Sequence, residues 1–145
     1  MGWFDKLIGK KEMINGIDHV AIVVSDMDRS IVFYTEVLGL KLILDGRPGG
    51  GEKKSFLGTK TKAIVALSED NNRLEQKGAY AEGVNHIAFG VSNIEESSQM
   101  LKDMGVEFVE IKKGDDGRPQ AYHFLDPDGL ELEIYAQAEK EVPKY

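Results

Sequence analysis

Two of the three histidines recur in matching surroundings. One stretch reads Gly16-Ile17-Asp18-His19-Val20-Ala21-Ile22-Val23-Val24-Ser25, and another reads Gly83-Val84-Asn85-His86-Ile87-Ala88-Phe89-Gly90-Val91-Ser92. Gly, His, Ala, Val and Ser coincide at an offset of 67 residues. Strand alternation sets His19 on a face with Ala21 and Val23, and His86 on a face with Ala88 and Gly90. Small neighbours around a polar side chain point to a cavity rather than a filled core. Near the C-terminus, Glu131, Glu133 and Tyr135 share a face opposite Leu130, Leu132 and Ile134. The same offset carries Glu133 onto Ala66, so the second copy holds a carboxylate where the first holds a methyl. His19, His86 and Glu133 are two imidazoles and one carboxylate, a donor set suited to a divalent metal with open coordination positions. Fe(II), Mn(II), Co(II), Ni(II) and Zn(II) all accept such donors. A lone strand histidine is usually a hydrogen-bonded core residue; here the repetition makes the pair a candidate site. The third histidine, His123, lies ten residues before Glu133. With an ordinary pKa near ~6.5, it can move a proton at neutral pH. Its bland reading is an edge-strand residue in contact with solvent.

The elements that would position these residues follow from the same repeat. Each copy opens with a strand, then an apolar-periodic helix (residues 28–38 and 94–104) that stops at Gly39 or Gly105. Further strands are expected over residues 41–44, 54–57 and 63–67, and again over 107–111, 121–125 and 130–135. The order is βαβββ twice, an α+β fold. The modules span about residues 14–70 and 80–137, joined by the polar stretch 69–83. Asp126-Pro127-Asp128-Gly129 has the residues of a tight turn between the last two strands, and a turn is all it requires. Gly46-Arg47-Pro48-Gly49-Gly50-Gly51-Glu52 is no phosphate-binding loop, because Gly51 is followed directly by Glu52 where Lys then Ser or Thr is needed, and a strand rather than a helix comes next. It reads as a flexible hairpin connection bordering the pocket. Residues 1–13 form an N-terminal extension in which Trp3, Phe4, Leu7 and Ile8 share one helical face. That length is too short to hold a membrane well, so a helix packed on the domain or on a partner subunit is expected. Residues 138–145 form a polar tail.

Composition narrows the classes. The 145 residues suit one domain. With 18 Lys+Arg against 25 Asp+Glu, the net charge of −7 argues against a nucleic-acid partner and against anionic membranes. Cysteine is absent, which removes disulfides, thiolate metal sites and cysteine nucleophiles and fits a cytoplasmic protein. No apolar run approaches the ~18 residues of a membrane span, and no secretory leader is evident.

Three stretches then carry a family resemblance: residues 17–24 with 30–40, residues 84–89, and Phe124-Leu125-Asp126-Pro127-Asp128-Gly129-Leu130-Glu131-Leu132-Glu133. The chain resembles the vicinal oxygen chelate superfamily, which includes glyoxalase I, extradiol dioxygenases, methylmalonyl-CoA epimerase, bleomycin resistance proteins and fosfomycin-resistance proteins. The resemblance implies paired βαβββ modules curled into a half-barrel around a metal held by His19, His86 and Glu133. Ala66 stands where glyoxalase I commonly has a fourth ligand, which resembles the three-ligand dioxygenases and fosfomycin-modifying enzymes instead. On that resemblance Fe(II) is the favoured metal and dioxygenase chemistry the leading reading. Relatives often place a pocket-facing Tyr or His where His123 stands, so His123 and Glu133 are the candidate catalytic residues, with Tyr122 and Tyr135 as lesser ones. Ala21, Ala66, Ala88 and Gly90 are expected to wall the pocket. The expected partner is a small molecule with adjacent oxygens, and the expected assembly a homodimer. A lactoylglutathione-lyase-like or epimerase-like isomerase is the second reading, a metal-free drug-binding protein the third, and a regulatory module the fourth.

Overall fold

The computed structural model describes residue 13 and residues 16–48, 53–70 and 85–136. The expected N-terminal helix, glycines 49–51, the junction 71–84 and the tail 138–145 lie outside the described residues. The first module runs β1 (Val20–Val24), α1 (Met27–Val32), a π-helical turn (Phe33–Val37), β2 (Lys41–Leu44), β3 (Lys54–Gly58) and β4 (Ala63–Glu69). The second runs β5 (Ile87–Val91), α2 (Ile94–Asp103), β6 (Glu110–Lys113), β7 (Pro119–Leu125) and β8 (Glu131–Ala136). The α+β expectation of two tandem βαβββ modules is met. The strands form two mixed four-stranded sheets, ordered β1-β4-β3-β2 and β5-β8-β7-β6.

The repeat extends to register. Ala21 pairs with Ala66 across the parallel β1/β4 pair, and Ala88 pairs with Glu133 across the parallel β5/β8 pair. Both helices open on an Asx cap: Asp26 accepts from Arg29 N (3.1 Å), and Asn93 from Glu96 N (3.0 Å). Both close at a glycine with positive φ, Gly39 at 75° and Gly105 at 84°, a conformation a Cβ would strain.

Three local details depart from expectation. The first helix changes to π spacing at Phe33, which turns Phe33 onto Tyr34 (5.3 Å) and keeps Tyr34 fully buried. β6 begins at Glu110 rather than at residue 107, because Phe108 packs on the Tyr122 ring (4.7 Å) and leaves the ladder. His19 and His86 stand just ahead of β1 and β5 rather than inside them.

Both modules feed one apolar core. Ile22, Val24, Ile31 and Leu67 from the first meet Leu101, Phe124, Leu132 and Ile134 from the second. The Asp126–Gly129 turn is more than a turn. Tyr34 donates its buried hydroxyl to Asp126 Oδ2 (2.9 Å). Asp128 accepts from Ser25 N (3.1 Å), Ser25 Oγ and Arg29 Nη2 (3.1 Å). Buried acceptors with several donors are satisfied, so this turn clasps the first module onto the strands flanking it. Among the described residues, no helix is long and apolar enough to cross a membrane.

Candidate functional site

Three side chains meet on one face of the second sheet. His123 on β7 and Glu133 on β8 are direct cross-strand partners. Glu133 is in turn the partner of Ala88, two residues beyond His86. His86 Nε2 lies 2.9 Å from Glu133 Oε2, and His123 Nε2 lies 3.3 Å from the same oxygen. The two imidazoles touch edge to face, with centroids 5.2 Å apart. Glu131 Oε2 stands 3.9 Å from His86 Nδ1 and 3.8 Å from His123 Nδ1. Glu133 and His123 are buried (5% and 1% exposed), while His86 is half-buried. A buried carboxylate with no such partners would be costly, so its two imidazole neighbours are part of its stability as well as of any chemistry.

His123 corrects the edge-strand picture. It lies on β7 between β6 and β8, and neither ring nitrogen makes a hydrogen bond. A buried polar ring left without a hydrogen bond, 3.3 Å from a carboxylate oxygen, is strain that a ligand or a transferred proton can relieve. Tyr122 alternates to the opposite side of β7 and is buried against Phe108 in the core, so it does not face this cluster. Tyr135, on the Glu133 face, is half-buried and pairs with Gly90.

Each repeated histidine is oriented by the residue before it. His19 Nδ1 is 2.7 Å from Asp18 Oδ2, and His86 Nδ1 is 2.8 Å from Asn85 Oδ1. An oxygen acceptor at Nδ1 fixes the orientation of the ring. For His86 an oxygen stands at each ring nitrogen, Asn85 Oδ1 at Nδ1 and Glu133 Oε2 at 2.9 Å from Nε2, so a proton or a cation can lie between Nε2 and the carboxylate. This is how metal-ligating histidines are commonly held. The hydrogen bond from His19, with Lys62 nearby, holds the Asp18 carboxyl below its usual range. The Asp-His and Asn-His pairs are visible in the repeat and were the available signal for these orienting residues.

His19 lines the same cavity as His86, a space of about 480 Å³ with Ile64, Ile87, Ala88 and Phe89. It packs against Phe56 (6.3 Å) and is 43% exposed at its side chain. Its hydrogen-bond and ring contacts are to Asp18 and Phe56 rather than to Glu133. Among the described residues, no three His, Asp or Glu side chains are arranged to hold a metal. Of the expected pocket walls, Ala21, Ala88 and Gly90 are exposed, whereas Ala66 is fully buried opposite Phe56 and forms no open wall.

The family model for the glyoxalase/bleomycin resistance protein/dioxygenase superfamily matches residues 16–134, which takes in both histidine repeats and Glu133. The chain belongs to this superfamily. Two of its relatives are enzymes by name. Lactoylglutathione lyase of Schizosaccharomyces pombe is 32% identical over 85% of this chain and 48% of its own, so the chain spans about half the length of that enzyme. Metallothiol transferase FosB of Staphylococcus epidermidis is 31% identical over 85% of this chain and 84% of its own. The crystal structure of a glyoxalase family protein from Enterococcus faecalis matches with a TM-score of 0.66 and 30% identity, over 83% of this chain and 97% of that one. Among the described residues, the two modules share strand order and register, and the second carries buried Glu133 where the first carries Ala66.

Proposed function

We propose that this protein is a divalent-metal-dependent enzyme acting on a small molecule with two adjacent oxygens, of lyase or transferase type. The observation that carries the reading is the His86–Glu133–His123 cluster, with His86 Nε2 aimed at a buried carboxylate and His123 left without a hydrogen bond. The names of two relatives support the reaction class. His86 and Glu133 fit two ligand positions, and His19 supplies the third from a second copy of the chain. The exposed His19 side chain, whose contacts are Asp18 and Phe56 rather than Glu133, supports that homodimeric arrangement.

A bound divalent cation would polarise the substrate's oxygens and stabilise the anion that develops on them. The rest falls to the chain itself. Asn85 and Asp18 hold the imidazole rings. Ile64, Ile87 and Phe89 make the cavity wall apolar and limit water. His123 exchanges the substrate proton at Nε2, with Glu133 beside it to stabilise the imidazolium.

A dioxygenase form with Fe(II) is the second reading, favoured by Ala66, which leaves the first module without a carboxylate at the place matching Glu133. The deciding experiment is metal analysis of protein purified anaerobically without chelators, followed by assays of a hemithioacetal, a thiol with an epoxide, and a catechol under O₂. Turnover of either of the first two with bound Mn, Ni, Co or Zn supports the main reading. Stoichiometric iron with catechol cleavage replaces it with the second. Failure to take up any of these metals refutes both and leaves a metal-free binding protein.

A further inference from the structure

Two cavities adjoin where the helices of the two modules end. One, of about 360 Å³, is lined in part by Phe33, Val37, Met104 and Val109. The other, of about 310 Å³, is lined in part by Val37, Met100 and Met104. Shared walls at Val37 and Met104 make them one groove. Met100 and Met104 are 60% and 51% exposed. Spaced four apart, Met100 on α2 and Met104 at its C-cap lie beside the buried face of Ser98 and Leu101. An apolar groove left open to water marks a docking surface. Its rim is acidic, with Glu36, Asp103 and Glu107, and among the described residues no lysine or arginine lines either cavity.

We propose that residues 2–11 of this same chain occupy the groove as a short helix, seating Trp3, Phe4, Leu7 and Ile8 on Val37, Met100 and Met104. The apolar stripe of that segment matches the groove in character, and methionines adapt readily to aromatic side chains. The charges are complementary. Lys6, Lys10 and Lys11 outnumber Asp5 in the segment and would meet Glu36, Asp103 and Glu107 on the rim. The reach is sufficient. β1 climbs about 17 Å over five residues and the first helix with its π turn returns about 16 Å over eleven, so Val37 ends near the level at which the chain enters β1. A ten-residue helix spans about 15 Å, and the four residues between it and Gly16 add up to about 13 Å.

The chain contains a single tryptophan, Trp3, so its fluorescence reports docking directly. The full chain should show blue-shifted emission and acrylamide quenching several-fold weaker than a peptide of residues 1–13. The double variant Met100→Asp/Met104→Asp should restore quenching to the peptide's level while leaving circular dichroism unchanged, since both side chains are exposed. Shielding that survives this variant, or a Trp3 as accessible in the full chain as in the peptide, overturns the proposal. Shielding lost on dilution assigns the groove to the segment of a second copy and also overturns it. So does shielding that arises only with phosphatidylglycerol vesicles, which makes the segment a membrane anchor.

Discussion

His86 Nε2 and Glu133 Oε2 stand 2.9 Å apart although 46 residues separate them, because β5, which starts just after His86, runs parallel to β8, and the carboxylate is buried. A pair so placed supplies two neighbouring donors to a cation. Glu133→Gln should weaken Mn(II) or Ni(II) binding by more than the ~10–100-fold typical of changes one shell further out. Isothermal titration measures it, and unchanged affinity would show that the metal lies elsewhere.

Asp18 and Asn85 accept from the Nδ1 atoms of His19 and His86. Asp18→Ala and Asn85→Ala should each lower metal affinity by about 10–100-fold with the fold intact. Loss at only one of the two would mean that only one repeated histidine is a ligand.

A site shared between copies has a distinctive signature. Protein carrying His19→Ala and protein carrying Glu133→Ala should each bind metal poorly. After unfolding and refolding together, mixed dimers should regain one intact site. No recovery on mixing would place His19 and Glu133 in one chain's site.

His123 is buried without a hydrogen bond, 3.3 Å from Glu133. His123→Gln should lower kcat by about 10²–10⁴ while metal content is retained, as expected of a group that transfers a proton. A change in KM alone would make it a binding residue.

Burial raises the Asp126 carboxyl above its usual range, against the backbone N–H of Leu130 and the Tyr34 hydroxyl, which act to lower it. Between the ordinary value near ~3.9 and the raised folded value, the folded state holds more protons than the unfolded one, so this group's contribution falls as pH rises. The stability of the wild type relative to Asp126→Asn should therefore decline through that window, read from urea midpoints at several pH values. A difference that rises with pH would contradict the burial argument.

Sequence alone determined the two modules, because hydrophobic period, caps and helix-ending glycines are local signals, and a 67-residue self-match multiplies them. It also placed Glu131, Glu133 and Tyr135 on one face, since alternation in a strand needs no knowledge of the partner. The tertiary structure decided how deeply His123 is buried, because that depends on β6 and β8 flanking β7. It decided that Asp126 and Asp128 clasp the first module, contacts that span 92 and 103 residues and leave no periodic trace. It also decided that His86 and His123, rather than His19, pair with Glu133. Equivalent positions in a repeat share a face, but their distance is set by how one sheet docks on the other.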